Sequence, residues 1–217
     1  MKKLLIIIRP LLATAVLAAA LAAAGRIHEP ITVAYLAMYG TLRVAMALSS
    51  RKGLDAGETD TSCATLGARV PLLGSVLFLA TVTITALDCG RFHWSCALPA
   101  AARIASLVAL TLSGSLHVWA IWVNPFFSPD LRIQSEHRLA TGGPYRFMRH
   151  PGYLAMLVAM PATAIALGSV VALLPALAYE LLILRRVMRE DDLLRKQLGG
   201  YAEYAGMVRC RIVPGLW

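Results

Sequence analysis

The chain's 217 residues are 58% hydrophobic and 15% charged, with a net charge of +9; a typical soluble domain is about 45–50% apolar and about 25% charged. This composition excludes an ordinary soluble globular protein. It also argues against a nucleic-acid partner, because the basic residues fall in short clusters between apolar spans, the pattern of a membrane topology signal. Four cysteines, Cys63, Cys89, Cys96 and Cys210, form no C-x-x-C pair and no zinc spacing, so no metal is expected. They read as small apolar fillers, with a Cys89–Cys96 disulfide left open.

Met1-Lys-Lys followed by Leu4–Ala24 fits either a signal peptide or an uncleaved first membrane helix. Arg9 and Pro10 interrupt the apolar core and a further apolar span follows directly, which favours the uncleaved helix. Ile31–Leu48 is a second span that carries Arg43, a charge that must face the interior or a headgroup. Ser49 to Arg69 reads as a solvated loop, Val70–Leu87 as a third span, and Asp88 to Pro99 as an interfacial turn with Trp94. Ala100–Val123 is the fourth span, with His117 inside it as a packing residue or a pocket lining. Asn124 to Pro129 breaks that helix.

From Gly152 to Arg185 the chain is apolar again. One helix of that length would reach about 50 Å, too long for a hydrocarbon core near 30 Å, so a hairpin turning at Gly168-Ser169 is predicted. With the N-terminus inside, the inner side collects nearly all the lysines and arginines and the outer side only Arg26, Arg91 and Arg103. The fold expected is therefore all-α: a polytopic integral membrane protein with five to six transmembrane helices, including the C-terminal hairpin. Residues 1–123 form the N-terminal spans, and 124–217 hold the central polar loop, the hairpin and a C-terminal cytoplasmic helix.

Thr141–Tyr153 is the densest polar stretch, with two arginines, a histidine, two tyrosines, two prolines and three glycines. Gly142, Gly143 and Pro144 mark a turn, and Pro151 suits the first position of a helix that His150 would cap. The free N–H groups at that helix mouth, with Arg149 and His150 beside them, favour an anion; the alternative is a loop whose arginines only fix orientation. On the last span, Arg186 and Glu190 are i,i+4 neighbours on one face. An ordinary juxtamembrane ion pair explains them equally well unless the polar loop shares their side of the membrane. Glu180, a carboxylate in an apolar span, is either partnered, functional or wet at the interface.

Thr141-Gly-Gly-Pro-Tyr145, Arg149-His-Pro-Gly-Tyr153, Arg186-x-x-x-Glu190-Asp191, Gly200-Tyr-Ala-Glu-Tyr204 and a closing Arg-x-Arg-Ile-Val-Pro form an ordered set. Over residues 124–217 this set resembles the isoprenylcysteine carboxyl methyltransferase family, and more distantly the membrane phospholipid N-methyltransferases. The resemblance implies S-adenosylmethionine as methyl donor in a cytoplasmic pocket between the central loop and the C-terminal helix. By position, Gln134 and His137, Arg138, Leu139 and Ala140 wrap the cofactor; Tyr145 and His150, Pro151, Gly152 and Tyr153 contact it at the helix mouth; Glu190 reaches it from the C-terminal side. Arg186 faces the methyl acceptor, and Arg186 and Glu190 are the catalytic candidates.

The acceptor implied is a lipophilic, prenylated or lipid molecule of the bilayer, methylated on a carboxylate, a thiol or an amine. The basic, alanine-rich composition points to a bacterial inner membrane with both termini cytoplasmic. Two other readings stay open: a membrane reductase using a nicotinamide cofactor, and a non-enzymatic membrane scaffold.

Overall fold

The computed structural model describes residues 2–49, 69–95, 97–127 and 137–213. The predicted loop over 50–68, and with it Cys63, lies outside the described residues, as do Cys96 and Gln134. The described chain forms α1 (Lys2–Ala23), α2 (Pro30–Ser49), α3 (Arg69–Leu87), α4 (Ala100–Val123), α5 (Pro151–Leu167), α6 (Leu173–Gln197) and α7 (Tyr201–Met207). No strand occurs among the described residues. Pro30–Ser49, Val70–Phe92 and Ala100–Val123 are long and apolar enough to cross a membrane, and Pro10–Ala23 and Pro151–Leu167 are shorter apolar helices. Large aliphatic side chains such as Leu72, Leu112 and Leu174 stand exposed on the outside, where lipid rather than water is the natural solvent. This is an all-α membrane protein.

Helix α4 packs along α5, α1 against α2, and α3 against α6. Lipid tails are as apolar as leucine, so small residues and close packing rather than water exclusion hold such helices together. Ala162 and Ala166 of α5 accordingly share a buried cluster with Leu17 and Leu21 of α1, Tyr35 of α2 and Leu110 of α4.

The predicted hairpin is present. Gly168 ends α5 at φ +99, a left-handed value that strains any residue with a Cβ. Its N–H and that of Ser169 both return to the Ala164 carbonyl, at 3.1 and 3.0 Å. Arg103 Nε donates to the Ala166 carbonyl at 3.0 Å and Arg26 Nη2 to the Leu167 carbonyl at 3.2 Å. Two cations thus meet the negative end of the α5 dipole, and Glu29 pairs with both, at 2.6 and 2.8 Å.

Asp88 to Pro99 is more ordered than an interfacial turn. The coil of α3 continues as one π-helical turn, Asp88–Phe92, closed by His93 in the left-handed region at φ 53. The cause is Asp88 itself. Its buried carboxylate accepts the Ser95 N–H at 2.8 Å and the hydroxyls of Ser95 and Ser169 at 2.5 Å each, which joins this turn to the hairpin.

Candidate functional site

The end of the bundle opposite the hairpin turn gathers residues 137–150, the charged tail of α6, α7 and the C-terminal segment. Pro151 opens α5 with His150 at its N-cap, as the sequence predicts. Gly152 is required there by close approach: a Cβ would lie 2.6 Å from a ring carbon of Phe127. The Tyr201–Tyr204 segment is the start of α7. Tyr201, Tyr204 and Ala205 are buried against Leu139, Leu194, Leu198 and Val208, and this apolar contact lets the short segment coil. The Tyr204 hydroxyl donates to the Tyr145 carbonyl at 2.6 Å, which pins α7 to the polar loop.

The organising group is Asp191, whose side chain is completely buried. Arg149 grips it with two nitrogens, Nε to Oδ1 at 2.9 Å and Nη2 to Oδ2 at 3.3 Å. Arg195 Nε and Arg211 Nε each reach Oδ2 at 3.1 Å, and the Tyr201 hydroxyl donates to Oδ1 at 2.7 Å. His150 Nε2 lies 3.4 Å from the same oxygen. Burial alone would raise this carboxyl's pKa; the hydrogen bonds from His150, Arg149, Tyr201 and Arg195 outweigh it and hold the group well below the usual carboxylate range. Burial, reinforced by the hydrogen bond to Asp191, pushes the Tyr201 phenol up.

Arg149 also closes the C-terminal segment over the site. Its Nη1 donates to the Val208 and Arg209 carbonyls at 2.7 and 3.0 Å. The backbone N–H groups of Arg149 and His150 donate to the carbonyls of Cys210 and Arg211 at 3.0 and 2.9 Å. Arg149 was expected to help hold a ligand anion at the α5 mouth. Its guanidinium is instead committed to Asp191 and to the chain's own carbonyls.

Glu190, one residue along, has a quarter of its side chain exposed. Its Oε2 accepts a short hydrogen bond from the Tyr153 hydroxyl, and Arg186 Nε donates to that same hydroxyl at 2.5 Å. Tyr153 therefore bridges the i,i+4 pair that the sequence singles out. His150 Nδ1 stands 3.9 Å from Glu190 Oε1.

These groups border one cavity of about 760 Å³. Of the residues expected to hold the cofactor, His137, Leu139, Ala140 and Tyr145 line it from the loop; His150, Pro151, Gly152 and Tyr153 line it from the start of α5; Glu190 and Arg186 line it from α6. Arg138 is exposed and lies off its wall. The imidazole of His137 stacks on Phe126 with ring centroids 4.7 Å apart. Its Nδ1 is buried with no hydrogen-bond partner among the described residues, and burial, opposed by the charge of Glu190, lowers its pKa. Away from the charges the cavity runs into the apolar helices, between Tyr35, Met38 and Phe78 on one side and Leu110 and Met160 on the other. His117 and Arg43 line it; Glu180 does not, and its Oε1 is buried without a partner among the described residues.

Sequence reasoning missed Asp191 as the hub, together with Arg195, Tyr201 and Arg211. Asp191, Tyr201 and Arg211 stand in the ordered motif set without a role assigned to them, and the local signal is that Asp191 and Arg195 are i,i+4, with the acid first, the favoured order on a helix. The four other donors come from residues 149, 150, 201 and 211, and no spacing rule joins them to Asp191.

No curated protein matches the chain. The model of the isoprenylcysteine carboxyl methyltransferase (ICMT) family does match, over residues 106–196, from within α4 to the last turns of α6. That stretch includes Arg149, His150, Tyr153, Arg186, Glu190 and Asp191, the core of the site described above. Over residues 106–196 the chain is thus similar to the isoprenylcysteine carboxyl methyltransferase family.

Proposed function

We propose that the chain binds S-adenosylmethionine at the charged end of its cavity and methylates an anionic group, a carboxylate in the first instance, of a lipophilic acceptor. The supporting observation is the pairing, in one cavity, of a charged mouth at Glu190 and Arg186 with an apolar interior among the spanning helices. A cavity of about 760 Å³ is at the upper end of small-molecule sites, which run about 300–1,000 Å³, so it has room for a donor and part of an acceptor.

The residues present suit the donor. Glu190 supplies a carboxylate for its ammonium group, and the unpartnered His137 Nδ1 supplies a buried polar atom for a hydroxyl or ring nitrogen. Phe126, His137 and Tyr145 offer aromatic faces to a purine. When bound, the donor supplies an electrophilic methyl group on a sulfonium.

The chain's own work is then positioning. Tyr153 holds Glu190 and Arg186 in fixed register, Asp191 holds Arg149, and Arg149 ties the C-terminal segment to the start of α5. Alignment of two bound reactants and exclusion of water are what a displacement at an activated methyl needs most. Charge selects the acceptor. Arg149, Arg195 and Arg211 gather around Asp191, and Arg186 stands beside Glu190; this cluster of cations favours a carboxylate or thiolate over an amine, which would also have to lose a proton. In this reading Arg186 holds that anion.

Equilibrium binding of S-adenosylhomocysteine to the detergent-purified protein tests the proposal. Wild type should bind, and Glu190→Ala should bind about 10–100-fold more weakly, the worth of one hydrogen bond to a charged group. A folded wild type that binds no such ligand would overturn the assignment of the donor. The distribution of arginines further supports a reading in which both termini face the cytoplasm, in keeping with a bacterial inner membrane. Alkaline phosphatase fused after Trp217 should then stay inactive, and an active fusion would reverse that orientation.

A further inference from the structure

The cavity has a second polar station, in the half that the donor's contacts leave free. Tyr39 and Arg43 are i,i+4 on α2 and line the wall that α2 presents, and His117 lines it from α4. Arg43 lies close enough to both for its charge to act on the Tyr39 phenol and on the His117 ring. The Tyr39 ring is fixed by stacking between Tyr35 and Phe78, with centroids 6.0 and 5.7 Å away. Yet its hydroxyl makes no hydrogen bond among the described residues, and Arg43 makes no ion pair among them.

An arginine within a spanning helix is costly and usually meets a partner or lines a polar cavity. Arg43 is exposed, and the cavity wall beside it includes Met38, Leu42, Met46 and Phe78. Arg43 stands six residues before the end of α2 (Pro30–Ser49) and His117 six before the end of α4 (Ala100–Val123). Both are therefore about 9 Å inside those helix ends by the rise of an α-helix, on the side where the cavity opens toward Glu190 and Arg186.

We propose that Tyr39 and Arg43, beside the His117 ring, form an anion subsite for a carboxylate or phosphate that the lipophilic acceptor carries in addition to the group it has methylated. This rests on the reading of the apolar cavity as the acceptor's place. A guanidinium and a phenol at i,i+4 present several N–H donors and one O–H donor to one oxyacid group, and such charge-assisted bonds are strong where water is scarce. Arg186 would then hold the reacting end of the acceptor and Arg43 a second anionic group. The acceptor class is an amphiphile with two polar groups, not a hydrocarbon with one.

The test uses the whole protein in a neutral maltoside detergent, titrated with dodecyl phosphate, dodecanol or inorganic phosphate. Affinity is read from the ligand-induced rise in thermal midpoint. Dodecyl phosphate should bind saturably and dodecanol should not. Arg43→Gln should weaken dodecyl phosphate about 10-fold or more, Tyr39→Phe should weaken it less, and Arg43→Lys should recover part of the loss. Arg185→Gln removes an exposed cation of α6 that does not line the cavity and should leave the affinity unchanged.

Equal binding of dodecanol, no effect of Arg43→Gln in a variant with an unaltered ligand-free midpoint, or an equal loss with Arg185→Gln would each overturn the subsite. The last result would mark general headgroup attraction. Inorganic phosphate binding as tightly as dodecyl phosphate would overturn its assignment to a lipophilic molecule. S-adenosylhomocysteine affinity should be the same in wild type and Arg43→Gln. Arg43-dependent binding of dodecyl phosphate by a wild type that ignored S-adenosylhomocysteine would uphold the subsite and defeat only the donor assignment.

Discussion

The two ends of the α5–α6 hairpin each bury one aspartate, and they use it differently. At the turn, Asp88 is satisfied by neutral donors, the Ser95 N–H and the hydroxyls of Ser95 and Ser169. The nearby charges, Arg26, Arg103 and Glu29, pair among themselves and cap α5. At the mouth, Asp191 is met by three guanidinium groups, a phenol and an imidazole. Its neighbours Glu190, Arg186 and His137 face a cavity. A carboxylate held by neutral donors locks a turn. One held by an excess of cations organises a positive field beside the cavity that its neighbours line.

The largest contrast between the two ends should come from Asp191→Asn. Removing the charge leaves Arg149 buried without its counter-ion, and breaking a buried ion pair from one side costs about 3–5 kcal/mol. A large fall in thermal midpoint in detergent is expected, together with loss of S-adenosylhomocysteine binding, because Arg149, His150 and Tyr201, which line the cavity, lose the carboxylate that positions them. Acid titration carries the same signature. The folded carboxyl lies well below the usual range, whereas in the unfolded chain it titrates near 4. Its stabilisation is therefore complete above about pH 4 and is lost as pH falls through the folded value. The wild-type midpoint should drop on that acid limb and the Asp191→Asn midpoint should drop much less; parallel acid limbs would show that Asp191 is not the group responsible.

The same contrast explains what the sequence made legible. Apolar span lengths, the helix start at Pro151 and the turn at Gly168 all follow from local rules, and each is where those rules put it. The Arg186–Glu190 pair was visible because four residues make one helical step. Asp191 sat beside that pair unseen, since its partners at 149, 201 and 211 are brought to it only by the fold. The commitment of Arg149 was hidden for the same reason: a guanidinium at a helix mouth looks free until the C-terminal carbonyls are known. Asp88 was read as part of an interfacial turn because nothing in its own neighbourhood announces Ser169, which lies 81 positions away.

Asp88→Asn should have the smaller effect. The amide keeps the shape and one acceptor oxygen, so the Ser95 N–H or a serine hydroxyl stays bonded while the new NH2 faces donors. Loss of two hydrogen bonds to a charged acceptor, partly recovered by rotation of the serine hydroxyls, costs about 1–3 kcal/mol. The midpoint should fall by less than in Asp191→Asn. S-adenosylhomocysteine affinity should not move, because the π-helical turn and the hairpin end lie at the far end of α5 from Glu190. The two readouts together decide the comparison. If Asp88→Asn lowered ligand affinity as much as Asp191→Asn does, the two ends would be coupled through α5, and the division into a locking end and a binding end would have to be given up.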